Sequence, residues 1–131
     1  MASIHQEILI HAEPAAVWDA VRDVGHVHTR VAPGFLTGCR MEDEPLARVV
    51  TFANGIVARE LIVDIDDAAR RLVWSVVGGR MSHHNASMQI VDEGGAARVV
   101  WVADLLPNDL AGAIAAMIGQ GLAAMKTTLE R

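Results

Sequence analysis

Two periodicities divide the chain. Between Phe35 and Leu106, apolar and polar residues alternate in short runs, the two-residue repeat of half-buried strands. From Pro107 to Arg131 the repeat lengthens. Leu110, Ile114, Met117, Ile118, Leu122, Met125 and Leu129 recur every three or four residues, as along one face of a helix. The alternating region predicts strands at about 35–42, 47–53, 56–66, 70–78, 82–92 and 96–106, and Ser3–His11 alternates weakly as an earlier one. Asn54-Gly55, Asp66-Asp67-Ala68-Ala69, Gly78-Gly79 and Glu93-Gly94-Gly95 fall between successive runs. Such residues make hairpins, with Asn54-Gly55 the signal for a tight one, so the strands should form an antiparallel meander. Glu13-Pro14 opens a helix, because the first helical turn leaves its N–H groups unpaired and Pro has none to lose. Val17, Trp18 and Val21 give that helix an apolar stripe, and Gly25 stops it. His26–Val31 reads as a second short helix ended before Pro33. The expected fold is α+β: a seven-stranded curved antiparallel sheet wrapped around a long C-terminal helix, with two short helices between the first two strands.

The last helix carries the functional reading. Gly112, Ala113, Ala116, Gly119, Gly121 and Ala124 lie among its larger apolar residues. It must bury one face, and the sheet is its only partner. Small side chains fill less space than Leu, so sheet and helix are expected to leave a hollow between them. A hollow of that kind suits a small-molecule guest.

Composition narrows the classes. The chain has 131 residues, which fits one domain over 1–131, and 52% are hydrophobic, which excludes a globally disordered chain. The net charge of −5, with Lys and Arg scattered, speaks against nucleic acid as a partner. No unbroken apolar run approaches the ~20 residues of a bilayer span. Met1-Ala2-Ser3-Ile4 lacks the charged and apolar regions of a secretory signal, and the single Cys39 can form no internal disulfide. The expectation is a cytoplasmic monomer or homodimer.

Strand alternation sorts the candidate chemistry by face. His84 falls with Ala86, Met88 and Ile90, an apolar set that should point inward, while His83, Asn85, Ser87 and Gln89 point out. A neutral imidazole there can accept or donate a proton near pH 7. Glu60 shares a face with Ala58 and Ile62. A lone inward carboxylate must be desolvated, wetted or paired. Desolvation would raise its pKa, as a general acid or base requires; a structural ion pair, with Arg48 for example, is the plainer alternative. Leu72, Trp74 and Val76 share the inward face of their strand, and Trp101 goes with Val99, Ala103 and Leu105. Alternation sets Asp104 outside, unless a bulge near the strand end turns it toward the guest. From the C-terminal helix, Ile114, Met117, Ile118 and Leu122 should line the hollow. Arg30, in the second short helix, would hold a carboxylate or phenolate, or else pair with a nearby acid. No metal or cofactor is expected. His83 and His84 diverge, His26 and His28 diverge on a helix, and no nucleotide-binding or nucleophile motif occurs.

The order of these words resembles the START/Bet v1-like (SRPBCC) helix-grip superfamily, and its bacterial polyketide cyclase/dehydrase-like branch in particular. The residues that carry the likeness run the length of the chain: Glu13-Pro14-Ala15-Ala16-Val17-Trp18, Pro33-Gly34-Phe35, Glu60-Leu61, Asp66-Asp67 with Arg71-Leu72, and Val100-Trp101 with Leu106-Pro107. The resemblance implies a cavity between sheet and C-terminal helix for an apolar or amphipathic molecule. Glu60 to Gly78-Gly79 is also similar in spacing to the plant abscisic acid receptors, in which the matching glutamate faces the cavity. The expected function is therefore binding of a small hydrophobic or aromatic ligand. A polyketide cyclase or dehydratase using Glu60 and His84 as an acid–base pair is the alternative, and a protein-interaction module a further one.

Overall fold

A computed structural model describes residues 1–131. Strands β1 (Ala2–Ile10), β2 (Leu36–Asp43), β3 (Leu46–Phe52), β4 (Val57–Asp66), β5 (Arg71–Val77), β6 (His83–Glu93) and β7 (Ala96–Leu106) form one antiparallel sheet in the order β1-β7-β6-β5-β4-β3-β2. Strands β2 to β7 are the expected meander, and β1 pairs beside β7. Register shifts at Leu36/Gly38 and Ile62/Asp64 mark bulges, which bend the sheet. Helix α1 (Pro14–Arg22) begins with Pro14 in its first turn and buries Val17, Trp18, Ala20 and Val21. Its outer end is tied down at Asp67, whose Oδ1 accepts from Trp18 Nε1 at 3.0 Å and from Arg22 Nε at 2.7 Å.

The second short helix is less regular than expected. A 3-10 turn, Val24–His26, runs into a π-helical turn, Val27–Val31, closed by Ala32 N donating to Val27 O at 3.0 Å. The wider turn brings Val27 and Val31 both inward, and both are buried. Helix α2 (Ala111–Leu129) follows a 3-10 turn at Asn108–Leu110. By length and hydropathy Asn108–Leu129 matches a bilayer-spanning helix, with a mean hydropathy of 1.2; in this fold it is the helix the sheet grips. It lies principally over β1. Gln6 Nε2 donates to Ala115 O at 2.7 Å and Lys126 Nζ to Leu9 O at 2.7 Å. Ile118, Gly121, Leu122 and Met125 are its buried residues.

The tip of the β3–β4 hairpin departs from the two-residue turn that Asn54-Gly55 suggests. Phe52 N donates to Ile56 O at 2.8 Å, leaving Ala53, Asn54 and Gly55 as a three-residue loop. Gly55 takes φ +90°, and Asn54 Oδ1 accepts from Ile56 N at 3.0 Å. The register that results sets Arg48 opposite Glu60. A two-residue turn would pair Ala53 with Ile56 and set Arg48 opposite Leu61, on the other face from Glu60, because a one-residue slip reverses every side chain.

Candidate functional site

Between the concave face of the sheet, the π-helical turn and α2 lies a cavity of about 60 Å³. Fourteen of the 18 residues lining it are hydrophobic, so its chemistry rests on a few polar atoms. Val27 and Val31 come from the π-helical turn, Val50 from β3, Leu72 from β5, Met88 from β6, and Met117, Gly121 and Met125 from α2. Aromatic rings supply much of the remaining wall. Trp74 and Trp101 meet edge-to-face at 5.7 Å and 63°, and Phe35 and Phe52 at 5.4 Å and 87°.

The hollow is smaller than the helix sequence suggests. An apolar cavity that takes up benzene measures about 150 Å³, so a ring-sized guest requires side chains to move. The small residues of α2 do not leave open space where they were expected to. Gly121 faces two rings: a Cβ there would lie 3.0 Å from Trp101 Cζ3 and 3.2 Å from Phe35 Cε2. A Cβ at Gly119 would meet Gln6 Oε1 at 3.3 Å. Gly112, Ala113 and Ala116 face solvent. Aromatic and amide groups from the sheet side thus occupy what the inward glycines vacate.

The polar part of the wall begins with a buried ion pair. Arg48 Nε donates to Glu60 Oε1 at 2.7 Å, and the two side chains are only 6% and 11% exposed. Arg48 Nη1 also donates to Val24 O at 3.3 Å, and its guanidinium sits 5.6 Å from the Trp74 ring centroid. The plainer of the two readings of Glu60 therefore describes its contacts. His84 is 5% exposed, and its Nδ1 is buried with no partner in the protein. Burial, reinforced by the neighbouring His83, lowers the His84 pKa below the ordinary imidazole value, so the ring is neutral at neutral pH. Trp101 Nε1 is likewise buried without a partner. No group of His, Cys, Asp and Glu converges as metal ligands would.

Of the residues singled out from sequence, Glu60, Leu72, Trp74, His84, Met88, Trp101 and Met117 line this cavity. Others do not. Arg30 lies at the surface, where Nη2 pairs with Asp19 Oδ2 at 2.7 Å and Nη1 with Asp23 Oδ2 at 3.0 Å. Asp104 pairs across the sheet with Asn85 and Ser3 on the convex face, because β7 runs without a bulge. Val76, Ile114, Ile118 and Leu122 pack into the core without reaching the cavity wall. For the helix residues the reason is the anchoring of α2 to β1, which turns the Met117–Gly121–Met125 stripe toward the hollow in place of Ile114–Ile118–Leu122. Arg48, Phe35 and Phe52 are wall residues that periodicity alone did not select. The alternation Arg48, Val50, Phe52 on the inner face of β3 carried the signal for two of them.

Comparison with known proteins places this geometry. The fold superposes on a solution NMR structure of a protein from Thermobifida fusca with a TM-score of 0.74 and 26% identity, covering 96% of this chain and 91% of that one. Ginseng major latex-like protein 151 from Panax ginseng gives a TM-score of 0.83 at 14% identity, covering 99% and 98%. A point mutant of Thalictrum flavum norcoclaurine synthase, in complex with a transition-state analogue, gives 0.70 at 16%, covering 98% and 91%. The two plant proteins share the helix-grip fold with this chain. No curated protein matches the chain in sequence. The family described as polyketide cyclase/dehydrase and lipid transport matches residues 1–130, and the chain belongs to that family.

Proposed function

We propose that this protein binds a small hydrophobic or aromatic molecule between the sheet and α2. The observation that carries the reading is an apolar, aromatic-walled cavity between sheet and helix whose few polar wall residues include the buried Arg48–Glu60 pair and His84. Membership of a family whose description includes lipid transport supports the same reading. The guest enters by displacing flexible wall groups, of which Met88, Met117 and Met125 are the most adaptable. The lone Cys39 fits a reducing, cytoplasmic setting, and the protein acts as a monomer or homodimer.

The test is binding of a neutral fluorescent probe, 1-aminoanthracene, together with native mass spectrometry of freshly purified protein. Saturable binding that Val50→Phe abolishes supports the proposal. No retained guest and no probe binding would reject it.

One observation favours an enzyme as the second reading. His84 is held neutral inside the cavity, the state in which an imidazole can take a proton from carbon beside a carbonyl. Glu60 is committed to Arg48 and fits better as an orienting group than as the base. Turnover of a polyketide-like or aromatic substrate that His84→Leu abolishes, with binding retained, would establish this reading; a guest that binds and never converts would reject it.

A further inference from the structure

A guest can enter only where the cavity wall gives way, and most of that wall is fixed. Strands β3 to β7 are hydrogen-bonded into the sheet. Helix α2 is tied at both ends, by Gln6 Nε2 donating to Ala115 O at 2.7 Å and by His11 N donating to Glu130 Oε2 at 2.8 Å. The turns at 53–56, 78–82 and 107–110 contribute no wall residue, so moving them uncovers nothing. The connection between α1 and β2 is different. Its Val27 and Val31 are buried against the cavity, while Thr29 and Arg30 between them are exposed. The wall there is one chain thick, and an outward swing opens the cavity directly to water. The segment is a 3-10 turn followed by a π-helical turn; the first has poorer hydrogen-bond geometry than an α-helix, and the second is a rare form that recurs at functional sites. Its backbone is irregular at both ends, with Asp23 at φ −80°, ψ 71° and Ala32 at φ −139°, ψ 58°. Leu36 N donates to Ala32 O at 3.0 Å and holds the far end in place. The tethers in between are weak. On the inner side Val24 O accepts from Arg48 Nη1 at 3.3 Å, beyond the usual range of about 2.7–3.2 Å. It also accepts from the weak Cys39 Sγ donor at 3.8 Å. On the outer side Arg30 pairs with Asp19 and Asp23 in solvent, where ion pairs hold little. Local opening concentrates in segments so lightly restrained.

Resting on the ligand-binding reading above, we propose that Val24–Val31 is the door of the cavity. It swings outward about Asp23 and Ala32 to admit the guest and closes behind it. The Arg48 bond to Val24 O is its inner latch, and the pairs of Arg30 with Asp19 and Asp23 are its outer latch.

A disulfide can lock this door. A Cβ at Gly25 would lie 3.1 Å from Met41 Cγ on the edge strand β2, and Met41 Cγ stands where a cysteine sulfur would. Gly25→Cys with Met41→Cys therefore suits a disulfide, whose Cβ atoms sit about 3.5–4.5 Å apart. Cys39→Ser removes the competing thiol. Stopped-flow fluorescence follows 1-aminoanthracene entering and leaving the full chain, oxidised and then reduced, with mass spectrometry confirming the bond. Association and dissociation should both be about tenfold slower or more in the oxidised protein and recover on reduction. Affinity should not change, because a door alters rates and not the equilibrium. Arg30→Ala weakens the outer latch and should speed both rates about two- to fivefold, again at native affinity. Equal rates in the oxidised and reduced protein overturn the proposal while leaving ligand binding intact. So does slower association with unchanged dissociation, which puts the crosslink's effect on the bound state and not on the path. Should the crosslinked protein fail to fold, native rates in Arg30→Ala overturn the proposal by themselves. Failure of 1-aminoanthracene to bind the native chain rejects the ligand-binding reading and this inference together.

Discussion

Removing one partner of the Arg48–Glu60 pair should destabilise the protein more than removing both. The two groups lie 2.7 Å apart at 6% and 11% side-chain exposure, so neither charge is well solvated. Breaking such a pair costs about 3–5 kcal/mol, because the survivor is left buried and uncompensated, whereas replacing both members with apolar groups of similar volume is often neutral or better. Arg48→Met leaves the Glu60 carboxylate in a wall of hydrocarbon and belongs at the upper end of that range. Glu60→Leu leaves a guanidinium that still has Val24 O at 3.3 Å and the Trp74 ring at 5.6 Å, and belongs at the lower end. The double variant should recover most of the loss, giving a coupling of about 2–3 kcal/mol or more. Urea unfolding followed by tryptophan fluorescence measures all four proteins. In thermal melts of a domain this size, each kcal/mol corresponds to roughly 3–4 °C, so Arg48→Met, at close to about 5 kcal/mol, should melt about 15–20 °C lower. Single variants that cost less than about 1 kcal/mol, or losses that simply add in the double variant, would refute the view of the pair as a buried, mutually dependent unit.

Three further outcomes follow from the same geometry. Gly121→Ala drives a methyl against the Trp101 and Phe35 rings, and the overpacking of about 1–3 kcal/mol should exceed the helix-propensity gain of about 1 kcal/mol. Gly112→Ala meets nothing within 4 Å and should be neutral or stabilising by up to about 1 kcal/mol; urea midpoints moving the opposite way would contradict both. His84 titrates lower in the folded chain than in the unfolded one, so its neutral form contributes stability that is present above about pH 6.5 and lost as pH falls through the folded value. His84→Leu should therefore lose less stability than the native chain between about pH 7.5 and 5.5, and parallel pH profiles would exclude the effect. Arg30 is paired with Asp19 and Asp23 away from the cavity, so Arg30→Ala should leave 1-aminoanthracene affinity unchanged; a weakened probe would return that arginine to the site.

The sheet was legible because its signals are local. Turn chemistry and two-residue alternation act over a handful of residues, and every strand lies within one residue of its predicted bounds. Register is not local in this sense. One extra residue at Ala53–Gly55 decides whether Arg48 faces Glu60 or solvent, and Asn-Gly composition fits either loop. The stripe of α2 that faces the cavity was hidden for a similar reason. Ile114–Ile118–Leu122 and Met117–Gly121–Met125 are neighbouring stripes on one helix. Long-range anchors hold its rotation: Gln6 Nε2 to Ala115 O, Lys126 Nζ to Leu9 O and His11 N to Glu130 Oε2.

Glycine in a helix suggests space left empty, yet volume depends on both sides of a contact. Trp101 and Phe35 reach across to Gly121, and the packing closes there. Three buried side-chain nitrogens find no partner: His84 Nδ1 and Trp101 Nε1, on residues of the cavity wall, and His28 Nδ1, on a residue outside it. A core selected for stability alone would replace His84 with Leu and Trp101 with Phe at no loss of hydrogen bonds, since neither of those two nitrogens makes one. Departures from a locally consistent core concentrate where function requires them. His84→Leu and Trp101→Phe should accordingly hold or raise the melting temperature. If both variants instead lose stability, the two side chains belong to the packing and not to a binding site.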